Sequence, residues 1–331
     1  MKRWTSYVGG IALILGLCVL PQCAFDKTPP SPDVRGIVLT GEAKQAYIKA
    51  QMDALYDPPE NVKTEPFAAP AGWTYEKLSI GTVPVERLAP PKASSKRVVL
   101  QLHGGAYMGG MSDLYRTFAV RQTEHTDAHE IYCVEYRHAP MHVYPAALED
   151  AAAVYQGLLA RGTKPSDIIL YGDSAGGNLA VELAIYLREH SIPQPAVLVL
   201  LSPWADFEHK EGTSRTENFT KDKVLGAGTP FAPHLQSVPP YAGGLPPDDP
   251  HLSPIHADLS GLPPMLIQTG GYELLLTEDE RLAEKARKDG TPVTCTVYPE
   301  MPHVFALVLP ELAESIAAGE EVRNFINQYM R

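Results

Sequence analysis

The chain is 331 residues long, 44% hydrophobic and 20% charged, with a formal net charge of −11. This composition lies close to globular averages and excludes both a disordered chain and a polytopic membrane protein. The acidic balance, with no long basic run, excludes nucleic acid as a partner, because phosphate recognition needs clustered Lys and Arg.

Met1-Lys2-Arg3 gives the chain a basic start, and the apolar run from Val8 to Leu20 stops at Pro21. Together these read as an export signal or N-terminal membrane anchor over residues 1–25. No small-x-small cleavage site follows, and neither Leu-Gly-Leu-Cys18 nor Leu-Pro-Gln-Cys23 makes a lipoprotein box. Secreted, periplasmic and membrane-anchored locations therefore stay open. Residues 26–74 hold a proline-rich linker, Thr28 to Pro32, and a helical pattern from Gly41 to Tyr56 closed by Pro58-Pro59. This piece is expected to supply N-terminal cap helices.

From Tyr75 onward short apolar runs alternate with amphipathic stretches, the pattern of a doubly wound, mostly parallel sheet covered by helices. Strands are predicted at Leu78 to Glu86, Arg97 to Leu102, Glu130 to Glu135, Ile168 to Tyr171, Ala196 to Leu201, Met265 to Gln268 and Val293 to Tyr298. Helices are predicted at Leu114 to Glu124, Ala146 to Arg161, Ala175 to Glu189, Glu278 to Lys288 and Leu312 to Tyr329. Between Asp206 and Pro250 the chain turns polar and rich in Gly and Pro, which reads as an excursion above the sheet. The fold class is thus α/β, with residues 75–331 as one catalytic-type domain and a cap excursion near 206–250. Cys133 and Cys295 fall in apolar β-branched stretches and read as buried free thiols.

The strongest chemical signal is Gly172-Asp173-Ser174-Ala175-Gly176-Gly177 between the strand Ile168 to Tyr171 and the following helix. Gly-x-Ser-x-Gly at a strand-to-helix turn exposes a serine hydroxyl over a helix N-terminus, where negative charge is stabilised. A second signal, His103-Gly104-Gly105-Ala106-Tyr107, follows the strand Arg97 to Leu102 directly. Glycines there free backbone N–H groups, and Gly104 and Gly105, with Ala175 after the serine, are expected to form an oxyanion hole.

With these motifs the chain resembles the hormone-sensitive-lipase-like branch of the α/β-hydrolase esterases. Tyr136-Arg137-His138-Ala139-Pro140, Tyr144 to Ala151, Leu201 to Asp206 and Ser253-Pro254 are similar to further family landmarks, so the resemblance covers about residues 75 to 330. It implies an α/β-hydrolase fold of about eight strands with a helical cap. It also implies serine hydrolysis of short- to medium-chain carboxylic esters, small-molecule substrates and no cofactor. His103 would fix its loop rather than react. Two departures stand out: Ala106 occupies the usual third glycine, and Glu273 takes a position that is more often aspartate.

A serine hydroxyl needs an imidazole base, itself oriented by a carboxylate, and this fold orders them serine, acid, histidine. Downstream of Ser174 stand His190, His209, His234, His251, His256 and His303. His303 is favoured because its loop follows the last strand, where such sheets present chemistry, and Phe305 supplies the family's aromatic two residues on. Glu273, after the strand Met265 to Gln268, is expected as the acid over Glu278 and Asp279, which begin a helix where acids are commonly dipole partners. The same groups could serve a lactone or amide hydrolase, and a non-catalytic ligand-binding homologue is the other class. No metal is expected: Pro140 interrupts His138/His142, and His125/His129 lacks the glutamate of a zinc-protease motif. Asn218-Phe219-Thr220 matches a glycosylation acceptor at chance level.

Overall fold

In the computed structural model the described residues are 36–58, 66–209, 212–234 and 238–330. The segment 1–25, expected to be a signal or anchor, and the proline-rich linker lie outside them. Among the described residues no helix is long and apolar enough to cross a membrane.

Val98-Val99-Leu100-Gln101-Leu102 is buried at every position, as a strand covered on both faces must be. It is β3 (Val98–Leu102) in an eight-stranded sheet of order β1-β2-β4-β3-β5-β6-β7-β8. The other strands are β1 (Thr74–Ile80), β2 (Val83–Ala89), β4 (Glu130–Val134), β5 (Ile168–Asp173), β6 (Val197–Leu201), β7 (Met265–Gly270) and β8 (Val293–Tyr298). From β4 to β8 all neighbours are parallel, while β1, β2 and β4 pair antiparallel. The single strand predicted from Leu78 to Glu86 is in fact the hairpin β1–β2. Gly81 takes a positive φ of 61° at the first turn position, which a tight hairpin needs, and Ile80 pairs with Val83 across it.

Alternate side chains of the parallel strands feed two separate cores. Val98, Leu100, Leu102, Leu198 and Leu200 pack on one face against α3 (Ala146–Ala160), α4 (Ala175–Glu189) and α6 (Leu276–Lys288). Val99, Val197 and Val199 pack on the other against α1 (Gly41–Tyr56), α2 (Asp113–Thr126) and α8 (Ala313–Tyr329). The remaining short helices are α5 (Ser214–Glu217) and α7 (Phe305–Val308). Cys133 and Cys295 are free and buried on β4 and β8.

The excursion is less helical than expected. Its described residues hold only the four-residue α5 and short 3-10 turns, as its Gly and Pro content dictates. The N-terminal piece contributes one described helix, α1. It is anchored by Lys44 to Glu314 at 2.6 Å, and its Tyr56 hydroxyl donates to the Val224 carbonyl of the excursion at 2.9 Å.

Candidate active site

Strand β5 ends at Asp173 and α4 begins at Ala175, so Ser174 alone turns the chain from strand to helix. It does so at φ 51° and ψ −121°, a strained conformation for a non-glycine residue that projects the side chain outward. Gly176 permits the sharp turn, since a Cβ there would overlap the carbonyl oxygen of Leu102. The Ser174 N–H donates to the Leu201 carbonyl at 3.0 Å, tying the turn to the end of β6.

His303, in the loop after β8, brings Nε2 to 2.9 Å from Ser174 Oγ. Its Nδ1 faces Glu273 Oε1 at an ion-pair distance of 3.6 Å. Glu273 follows β7 and is itself held: its Oε2 accepts from Ser202 Oγ at 2.6 Å and from the Gly270 N–H at 2.6 Å. Both rivals are accounted for otherwise. Glu278 accepts from Arg215 Nε at 2.6 Å. Asp279 is fully buried, and desolvation, reinforced by the charge of Glu273, holds its carboxyl well above the usual carboxylate range. Among the described side chains no other downstream histidine reaches Ser174. His190 stacks on Tyr186 and His251 lies against Tyr144.

Gly104 departs from the expected oxyanion set. Its N–H donates to Asp173 Oδ1 at 3.1 Å and is not free to meet a substrate oxygen. The glycine is needed for close approach, because a Cβ would press on the Asp173 backbone and the Tyr115 hydroxyl. Gly105 and Ala106 have positive φ of 105° and 55°, and among the described residues their N–H groups and that of Ala175 have no partner. Ala175 heads α4, where the first N–H groups are unpaired by construction. Asp173 is buried, and desolvation raises its carboxyl to about 7 despite donors from Tyr115 and Gly104.

Sequence reasoning missed Asp222, a fully buried carboxylate in the excursion. It accepts from Val224 N–H at 2.9 Å, Leu274 N–H at 2.9 Å and the His303 N–H at 3.4 Å, so one side chain joins the excursion, the acid loop and the base loop. The only sequence signal is an aspartate two residues before an N–H it can accept, an Asx-turn pattern too common to single out. Asn218 is likewise buried, and its amide donates to the carbonyls of Gly271 at 3.2 Å and Glu273 at 3.0 Å, which removes it from consideration as a glycosylation acceptor.

Above Ser174 and Ala106 lies a cavity of about 440 Å³, walled by Trp204, Leu225, Phe231, Pro240 and Leu275. Its walls are mainly apolar, and the excursion supplies Leu225, Phe231 and Pro240. His103 stands outside this constellation, buried beneath the loop and stacked on Tyr136 at 4.3 Å. Burial lowers it to about 4, so the ring is neutral.

Residues 99–307 match the family described as alpha/beta hydrolase fold. An acetyl-hydrolase of Streptomyces hygroscopicus is 37% identical over 249 residues, 75% of this chain and 81% of that protein. An esterase of Acinetobacter venetianus is 33% identical over 68% of this chain and 74% of its own length. Among solved structures, an esterase from the bacterial hormone-sensitive lipase family superposes with a TM-score of 0.78 at 32% identity, covering 88% of this chain and all of that one.

Proposed function

This chain belongs to the alpha/beta hydrolase fold family, in its hormone-sensitive-lipase-like branch, and is a carboxylic-ester hydrolase; we propose that Ser174, His303 and Glu273 carry out its chemistry. The contact that supports this most is His303 Nε2 to Ser174 Oγ at 2.9 Å, on a strained turn that opens into an apolar cavity. In this reading His303 removes the hydroxyl proton as Ser174 Oγ attacks the ester carbonyl. The oxyanion of the tetrahedral intermediate is met by the N–H groups of Gly105, Ala106 and Ala175, each worth about 3–4 kcal/mol if it behaves like other such donors. Collapse expels the alkoxide, which takes its proton from His303, and leaves an acyl-serine. Water then repeats the attack with His303 as base.

The cavity, about 440 Å³, sits toward the small end of ligand pockets, which supports short- to medium-chain acyl groups. The basic-then-apolar N-terminus supports an exported enzyme, with anchorage to a membrane as one form of it. Hydrolysis of p-nitrophenyl esters of increasing acyl length, with a lactone and an anilide alongside, tests the substrate class. The expected result is a maximum among short to medium esters, with the lactone and anilide slower. A preference for long acyl chains, or for the lactone or anilide, would overturn it.

A further inference from the structure

We propose that His103, Glu135 and His138 form a binding site for a single zinc-type divalent cation at the root of the loop facing Ser174. His103 is distant in sequence from Glu135 and His138, but the two segments end neighbouring strands: His103 follows β3, Glu135 and His138 follow β4, and β3 pairs with β4 in parallel. One nitrogen of each histidine and one oxygen of Glu135 lie within 4.8 Å of one another. Two neutral-type nitrogens and a carboxylate are a donor set that suits zinc, leaving one coordination position open.

The hydrogen bonding directs the lone pairs the right way. His103 Nδ1 lies 2.8 Å from the Gly104 carbonyl, which can only accept, so Nδ1 carries the proton and Nε2 presents a lone pair. That Nε2 is buried with no partner among the described residues, on a side chain that is 0% exposed, and His138 Nε2 likewise makes no hydrogen bond. An imidazole whose far nitrogen donates to a backbone carbonyl is the usual arrangement of a metal ligand. Glu135 is fixed from behind, with Oε2 accepting from the Met111 N–H at 2.9 Å. Gly110 leaves the space clear, because a Cβ there would press on both Glu135 Oε1 and His138 Cε1.

An ideal tetrahedral site with bonds near 2.1 Å sets its ligand atoms roughly 3.4 Å apart. Glu135 Oε1 and His138 Nε2 are already 3.4 Å apart. A cleft of about 670 Å³, lined in part by Glu135, His138, His142 and Asp150, gives an ion a route in. The pairing of His138 with His142, considered from sequence, is not the one the fold provides.

Zinc chloride titrated by calorimetry into the EDTA-stripped full chain at neutral pH tests the site. The expected result is one ion per chain, weakened at least tenfold in both His138→Leu and the near-isosteric Glu135→Gln, and retained in His303→Ala. Absence of saturable binding to the parent, unchanged affinity in either ligand variant, or loss in His303→Ala would overturn it. The readout is metal binding, so failure leaves the hydrolytic reading untouched.

Discussion

His303 is pulled in two directions. Burial by itself drives an imidazole toward its neutral form, yet the facing carboxylate of Glu273, with the charges of Asp222 and Asp173, more than offsets it and raises the ring above its usual 6.5. The base works only when neutral, so kcat/KM should rise with pH through a midpoint above 6.5 and fall away below it. Glu273→Gln removes the largest raising influence. Its profile should shift to a lower midpoint, with kcat down roughly 10²- to 10⁴-fold; an unchanged midpoint would count against Glu273 as the orienting acid. At this scale the proximity of Ser174, His303 and Glu273, the three groups of the proposed chemistry, could be anticipated from sequence, because each is set by a strand end and its immediate loop. Gly104 was misread because the direction of its N–H depends on the Asp173 carboxylate sixty-nine residues away, which no local pattern reveals. Asp222 was invisible for a similar reason: in sequence it sits in a polar stretch that reads as solvated, and only the packed excursion makes it a buried junction.

At the scale of elements, the excursion is latched to the acid loop rather than resting on it. Ser214 Oγ donates to the Leu274 carbonyl at 2.7 Å, Asn218 holds two carbonyls of the same loop, and Asp222 accepts from the Leu274 N–H. Asp222→Ala would leave those buried N–H groups without an acceptor, a loss of about 2–3 kcal/mol. It should lower Tm measurably and reduce kcat/KM, since the His303 loop and the cavity wall lose a common anchor. A variant with parental Tm and kcat/KM would mean that the latch contributes nothing. The helices and parallel strands were read to within a few residues because their periodicities are distinct. The β1–β2 hairpin was not, because its two strands merge into one apolar stretch unless Gly81 is taken as a turn. The excursion could be placed by its composition, but its hydrogen bonds to residues 271–274 are long-range and leave no periodic trace.

Across the whole molecule, the alternation of the central strands decides the architecture. Val99 and Leu100 must bury on opposite faces, so helices are required on both sides, and the loops that carry chemistry are confined to one edge of the sheet. The ends of β3, β5, β6, β7 and β8 meet there, bringing Ser174 and His303 together across 129 residues of chain. This convergence is the central claim, and Ser174→Ala tests it most directly, through the rate of p-nitrophenyl butyrate hydrolysis in a variant whose Tm matches the parent. The expected rate falls on the order of 10⁵-fold; a variant that folds normally and keeps a rate within tenfold of the parent would contradict the account.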